Sequence, residues 1–156
     1  MIILISKKLL EMGIELPPSP EPAGNYVPYK KVGNLLYLSG SLCLLDKKIT
    51  HLGKVGMDIS LKNAIAAARI CALNQLAIIQ LALGSLDYVN QIIILNGFVN
   101  GVDGFPDSPK VINGASDLYQ KVFGDIGKHA RTAVSVNGLP LNAAVEIQTT
   151  LSFDES

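Results

Sequence analysis

Hydrophobic and polar positions alternate along two runs near the C-terminus, 131–136 and 145–151, which flank a turn-rich segment at 137–142. A period of two is that of a β-strand, so the pattern predicts two strands. Arg131 falls on the face opposite the valines of the first run. Glu146 falls on the face opposite the Val, Ile and Leu positions of the second run.

If the two runs pair as an antiparallel hairpin centred on the Gly138–Leu139 bond, Arg131 lies directly opposite Glu146. Opposed residues have Cβ atoms about 4.5–5.5 Å apart, so a fixed cation would lie beside a fixed carboxylate. That pair suits a site for a small carboxylated molecule. The alternative is a surface ion pair that contributes a few tenths of a kcal/mol.

Helical periodicity predicts two helices between these runs and the N-terminal third of the chain. The first covers 58–83, with Asp58 or Ser60 as its cap and Gly84 after its last turn. The second starts at Pro109 or Gly114 and ends at 123. Apolar residues cover a wide arc of the first helix, as expected of a core helix.

Three further strands are predicted, at 25–32, 35–39 and 86–99, together with a polar loop at 46–56. The strand at 86–99 is apolar on both faces and therefore requires cover on both sides. Two helices can cover only one face of such a sheet. The second apolar face therefore indicates a homo-oligomer.

Residues 1–24 are predicted to form an arm that lies on a single domain at 25–156. A short helix is expected within 1–16, capped by Ser6 and ended at Gly13. The segment that follows carries four prolines and must be extended, because proline removes a backbone donor and fixes φ.

Composition narrows the class of protein. The chain has 156 residues, 49% apolar and 17% charged, with a formal net charge of zero. No uninterrupted apolar run reaches 18 residues, so no membrane span is expected. No basic stripe is present, which argues against nucleic-acid binding. Cys43 and Cys71 match no disulfide framework and no metal-ligand spacing, and the first residues lack the order of a secretory signal, so the cytoplasm is the expected compartment.

Several short segments of the chain form a specific set when they are taken in order. The most specific is Arg131 followed by an apolar strand, then Leu139-Pro140, then Glu146. The others are Tyr37-Leu38-Ser39-Gly40, Gly53-Lys54-Val55-Gly56, Ala66-Ala67-Ala68-Arg69, Leu73-Asn74-Gln75-Leu76 and Gly84-Ser85-Leu86-Asp87-Tyr88-Val89. Together they resemble the Rid family, also called the YjgF/YER057c/UK114 family, over about residues 24–153. The N-terminal arm and the segments around 25–28, 97–100 and 111–118 are typical of a longer branch of that family.

The resemblance implies a chorismate-mutase-like α+β fold, with a mixed six-stranded sheet and two helices on one face. It also implies a homotrimer in which the sheet faces pack together and ligand clefts lie between neighbouring subunits. For active members it implies hydrolysis of reactive 2-imino acids to 2-keto acids and ammonia, with no cofactor and no metal.

Carried over to this chain, the resemblance implies that Arg131 binds the substrate carboxylate, because its planar fork binds carboxylates bidentately. It implies that Glu146 positions or deprotonates the attacking water. Four further positions are expected to bind the substrate. Tyr26 supplies an aromatic ring at the cleft wall, Ser39 a hydroxyl and Asn113 an amide. The backbone carbonyl of Ala133 accepts a hydrogen bond from the imine nitrogen. Ala133 stands where the compact branch often has Cys, and Ser41 stands where the family often has Gln.

Other interpretations remain open. Ser39 and Asn113 also suit ordinary turn or cap chemistry, and Tyr26 suits half-buried packing. His129 is expected to be structural or exposed, with a place in the cleft as the alternative. Cys71 is expected to fill the core. The alternative function is a non-catalytic trimer that binds a keto acid or regulates in response to it.

Overall fold

A mixed six-stranded sheet forms the centre of the protein. The computed structural model describes residues 4–155. The strand order is β1-β2-β8-β6-β7, and β3 pairs with β8 beyond the end of β2. The strands of this sheet are β1 (Tyr29–Val32), β2 (Leu35–Leu38), β3 (Ser41–Leu42), β6 (Val89–Asn100), β7 (Ala130–Val136) and β8 (Val145–Phe153). β4 (Leu44–Leu45) and β5 (Lys48–Ile49) form a separate two-stranded hairpin. β4 ends just before the predicted loop at 46–56, and β5 lies inside it, so this part of the loop prediction is wrong.

The predicted hairpin between the last two strands is wrong, because β6 lies between them. β6 pairs with β7 in parallel and with β8 antiparallel. The connecting segment is bonded elsewhere: Gly53 donates to Asn142 O, and Ala144 donates to His51 O. The left-handed residues of the turn are Leu141 and Asn142. Periodicity gave the alternation within each strand correctly, but Arg131 and Glu146, predicted on one face, lie on opposite faces of the sheet. The pattern carries no information on which strands are neighbours.

Two helices, α2 (Leu61–Leu83) and α3 (Ser108–Phe123), cover one face of the sheet. Ser60 caps α2 by accepting from Asn63 N, and Gly84 ends the helix in the left-handed conformation. The helices approach closely at Gly114, where an added Cβ would collide with the carbonyl of Ile65. By length and composition α2 could cross a membrane, but 61% of its most apolar window is buried inside the protein.

Within residues 4–155, no helix covers the other face of the sheet. Its side chains include partly exposed apolar groups from four strands: Val32, Leu35, Tyr37, Phe98 and Val134. The prediction that the helices leave one apolar face open is therefore confirmed for the single chain.

The N-terminal helix α1 spans Ile5–Glu11, and residues 1–3 of the predicted helix lie outside the described part of the chain. Ser6 does not cap it. The Asp87 carboxylate accepts from the backbone N–H of Ile5 and Ser6 and from the Ser6 hydroxyl. Leu9 is buried against the core. As predicted, the proline-rich segment 17–24 has no helix or strand.

Candidate functional site

Glu146 projects from β8 onto the open face of the sheet, in register with Leu42 on β3 and Phe98 on β6. Its carboxyl is half-buried, and this desolvation raises its pKa above the ordinary value. Gly40 packs against it so closely that an added Cβ would lie 2.5 Å from Oε1. Among the described residues, no Lys, Arg or His forms an ion pair with this carboxylate.

Tyr26 and Ser39 lie on the same side of the molecule, where they line a pocket of about 80 Å³ at the β3 edge. The proline-rich arm forms part of its wall through Pro20 and Pro22. The Ser39 hydroxyl donates to Val27 O at 2.6 Å, so it also fixes the backbone of this wall. We call Tyr26, Ser39 and Glu146 the β3-edge group.

Gln75, on α2, supports this group, although the motif Leu73-Asn74-Gln75-Leu76 was not predicted to contribute to the site. Its Nε2 donates to Ser39 O at 2.9 Å and lies 2.6 Å from Ser41 Oγ. Its Oε1 accepts from Thr149 N at 3.0 Å. The side chain is fully buried, so it anchors the β2–β3 turn to β8 from inside the core.

Arg131 lies on the opposite edge of the sheet, on β7, and its side chain points toward the start of α3. Nη1 donates to Asn113 Oδ1 at 2.8 Å and to Ser116 Oγ at 3.1 Å. Nη2 donates to Pro109 O at 3.3 Å. Ala133 follows two residues later on the same face, beside a groove of about 560 Å³ formed with the 101–109 loop. We call Asn113, Arg131 and Ala133 the β7-edge group.

His129 stands behind Arg131 and is half-buried. Its Nε2 lies 2.9 Å from Ser116 Oγ, and its Nδ1 lies 2.6 Å from Gly127 O. Burial lowers the pKa of His129 below its ordinary value of 6.5, the Gly127 carbonyl opposes this, and the Arg131 charge lowers the pKa further. These bonds hold the His129 ring between β7 and α3, which fits the structural role expected for it. Ser116 carried no signal in the sequence.

The two groups do not meet within one chain. Arg131 is in register with Leu95 and Thr149, three residues along β8 from Glu146, and the two side chains point to opposite faces. Two interstrand spacings and three residues of offset separate their Cα atoms by about 14 Å. Arg131, Ala133 and Glu146 lie in strands as predicted, whereas Tyr26 and Ser39 lie outside the strands predicted for them and Asn113 lies within α3. Among the described residues, the ion pair expected between Arg131 and Glu146 is absent.

The two cysteines lie in the core. Cys43 and Cys71 are both free and fully buried, and Cys71 Sγ donates to Val145 O at 3.4 Å. The core-filling role expected for Cys71 is confirmed. Within residues 4–155, no cluster of three or more His, Cys, Asp or Glu side chains has the geometry to hold a metal ion.

Comparison with known proteins decides the family. The family model described as "YjgF/chorismate_mutase-like, putative endoribonuclease" matches residues 6–151. The chain belongs to the YjgF family. The resemblance identified from the motifs, and the α+β chorismate-mutase-like fold expected from it, are thus confirmed.

Three YjgF relatives show how close the match is. Protein TCP17 of Trypanosoma cruzi is 41% identical over 151 residues, which cover 96% of this chain and 94% of that protein. The crystal structure of protein Atu1372 from Agrobacterium tumefaciens, of unknown function, is 44% identical with a TM-score of 0.88, covering 97% of this chain and 92% of that one. A 2-iminobutanoate/2-iminopropanoate deaminase of Dermatophagoides farinae is 26% identical over 141 residues, 87% of this chain and 91% of that protein.

Proposed function

We propose that this protein hydrolyses 2-imino acids to 2-keto acids and ammonia. The Dermatophagoides farinae deaminase carries that activity in its name, and it matches most of this chain at 26% identity. The observation that carries the proposal is the state of Arg131, whose guanidinium is fixed by three hydrogen bonds before any ligand binds.

Arg131 is arranged to receive a carboxylate. Its bonds use both hydrogens of Nη1 and one of Nη2. Within the described chain Nε makes no hydrogen bond and Nη2 makes only one, so both nitrogens retain a hydrogen for a ligand. The planar guanidinium is suited to bind the two oxygens of a carboxylate. Because the side chain is already ordered, binding costs little further conformational entropy.

Glu146 has the properties of a base that activates water. Burial raises the pKa of Glu146 toward pH 7, which favours proton transfer near neutral pH. In the proposed step, water attacks C2 of the protonated imine while Glu146 takes one proton from the water, which gives a neutral carbinolamine. Glu146 then returns this proton to the amino group, the C–N bond breaks, and the hydroxyl proton passes to the departing ammonia, so that the keto acid and ammonium are formed and Glu146 is ionised again. The Ala133 carbonyl is suited to accept a hydrogen bond from the imine nitrogen.

A second copy of the chain is required, because the β3-edge and β7-edge groups occupy opposite edges of one sheet. Placing the β7 edge of one copy against the β3 edge of the next brings Arg131 beside Glu146. This is a head-to-tail contact between different surfaces, which closes into a ring when the rotation allows it. We propose a homotrimer, whose centre would also cover the open apolar face.

The experiment uses imines made in place by an amino-acid oxidase from alanine and 2-aminobutanoate, with keto-acid release as the signal. We expect wild type to accelerate release, and Arg131→Ala and Glu146→Gln to abolish the acceleration. Arg69→Gln is the matched control, because Arg69 is the other arginine of the chain and is exposed on α2. No acceleration by wild type would reject the hydrolase.

The same variants test the alternative function. If wild type binds pyruvate or 2-oxobutanoate without turnover, and Arg131→Ala does not bind, the protein is a keto-acid-binding trimer. RNA cleavage has little support in the charge distribution, since the formal net charge is zero and the thirteen Lys and Arg residues are scattered.

A further inference from the structure

The imidazole of His129 is held at both nitrogens. A carbonyl oxygen can only accept, so Nδ1, 2.6 Å from Gly127 O, carries the hydrogen. In the neutral ring Nε2 then has only a lone pair. Ser116 Oγ, 2.9 Å away, must therefore donate its single hydrogen to Nε2. The ring of Tyr119 packs edge-on against the imidazole, with 5.9 Å between the two ring centroids.

This bond sets the direction of the Ser116 hydroxyl. With its hydrogen committed to His129, Ser116 offers lone pairs to Arg131 Nη1 at 3.1 Å. Ser116 is almost fully buried, so water cannot easily replace either partner. The chain His129–Ser116–Arg131 thus runs from a titratable ring to the guanidinium, and Asn113 completes the support at 2.8 Å.

We propose that His129 is a positioning residue that makes carboxylate binding at Arg131 dependent on pH. The neutral imidazole holds Ser116 as an acceptor for the guanidinium, and protonation of Nε2 removes that hold. This inference rests on the proposed function in one respect only, namely that Arg131 binds the carboxylate of the substrate.

Protonation acts in two ways. Nε2 gains a hydrogen, so Ser116 faces two donors and can no longer give its own hydrogen to the ring. The imidazolium also repels the guanidinium, as the lowering of the His129 pKa by Arg131 indicates. The affinity for a carboxylate should therefore be lost as pH falls through the His129 pKa, which lies below 6.5.

Other titratable groups near the ring include Tyr119 and an exposed ion pair. Burial raises the pKa of Tyr119 above its ordinary value of 10, so it stays neutral. The Lys128–Asp125 ion pair, at 2.9 Å, precedes His129 in the chain and is exposed to solvent. Strand β6, next to β7, carries no charged side chain.

Proton NMR measures the coupling without any assay of function. The chain has two histidines, so in His51→Gln the only histidine ring signals are those of His129, which assigns them. We expect a His129 pKa below 6.5 in wild type and a higher one in Arg131→Gln, which removes the repelling charge. An unchanged pKa in Arg131→Gln overturns the proposal.

Calorimetry of pyruvate binding at pH 7.5 and 5.0 tests the consequence. All proteins carry Glu146→Gln, so that this carboxyl does not titrate. With His129 retained, we expect weaker binding at pH 5.0, by at most about tenfold, the loss of about one supporting hydrogen bond. His129→Gln keeps an acceptor for Ser116 and should bind equally at both pH values. His129→Leu lacks the acceptor and should bind weakly at both.

Binding at pH 5.0 as tight as or tighter than at pH 7.5 overturns the inference, and so does a pH shift that persists in His129→Gln. Absence of pyruvate binding in every protein overturns the role of Arg131 and this inference with it. Absence of turnover in wild type, with the binding pattern intact, rejects the hydrolase alone.

Discussion

Replacing Gly40 with alanine tests how tightly the Glu146 carboxylate is held. The new Cβ would lie 2.5 Å from Oε1, whereas ordinary contact begins at 3.4 Å. Oε1 is at the far end of a flexible side chain, whereas the backbone of Gly40 is held between β2 and β3. The carboxylate oxygen must therefore move by about 0.9 Å. A misplacement of about 1 Å can cost about 10²-fold in rate, or about 2.7 kcal/mol in the barrier. We expect kcat for imine hydrolysis to fall by about that factor.

The fold should survive this change. Gly40 does not have a positive φ, so alanine fits the backbone, and the loss of unfolded-state freedom can stabilise the chain by about 0.4–1 kcal/mol. Thermal unfolding and keto-acid release are measured together. Gly138→Ala is the matched control, because its added Cβ meets nothing within 4 Å. Wild-type kcat in a folded Gly40→Ala protein would refute the placement of Glu146 at the reacting atoms.

Three further predictions concern stability. Glu146→Gln should be more stable than wild type at pH 7 and equally stable below pH 4.5, because the raised pKa of Glu146 means that its ionisation destabilises the folded state as pH rises. Urea unfolding of both proteins at both pH values measures the difference in stability. The same difference at both pH values would contradict this prediction. Gln75→Leu should lose at least about 2 kcal/mol in urea, since it leaves Ser41 and Thr149 N without their buried partner, whereas the exposed control Gln80→Leu should change little. Asp87→Ala should cost about 1 kcal/mol and speed amide exchange in α1, because it removes the α1 cap; unchanged exchange there would argue against capping by Asp87.

Most of the fold follows from patterns that the sequence carries locally. Helix α2 has its cap at Ser60 and its stop at Gly84, and both signals lie in the sequence next to the helix. The faces of β8 follow from alternation, with Ile147 buried and Glu146 half-exposed. The partner of each strand does not follow, because β6 could be inserted between β7 and β8 without changing the pattern of either.

The candidate site was less accessible from the sequence. Arg131 and Glu146 stood out because the assumed hairpin placed them opposite each other and because both match the most specific motif of the family. Their supports did not, since Gln75, Ser116 and His129 act through hydrogen bonds between elements far apart in the chain. A serine inside a helix or a histidine before a strand has many ordinary roles, and only the packed structure shows which partner each one has.

The central claim, that one chain supplies Arg131 and a neighbouring chain supplies Glu146, is tested by mixing two inactive variants. Arg131→Ala and Glu146→Gln are unfolded together in equal amounts, refolded, and assayed for keto-acid release. In random trimers about one quarter of the interfaces would pair an intact Arg131 with an intact Glu146, so we predict recovery to about a quarter of wild-type activity. No recovery from refolded mixed oligomers would contradict the account, since it would mean that both residues must come from the same chain.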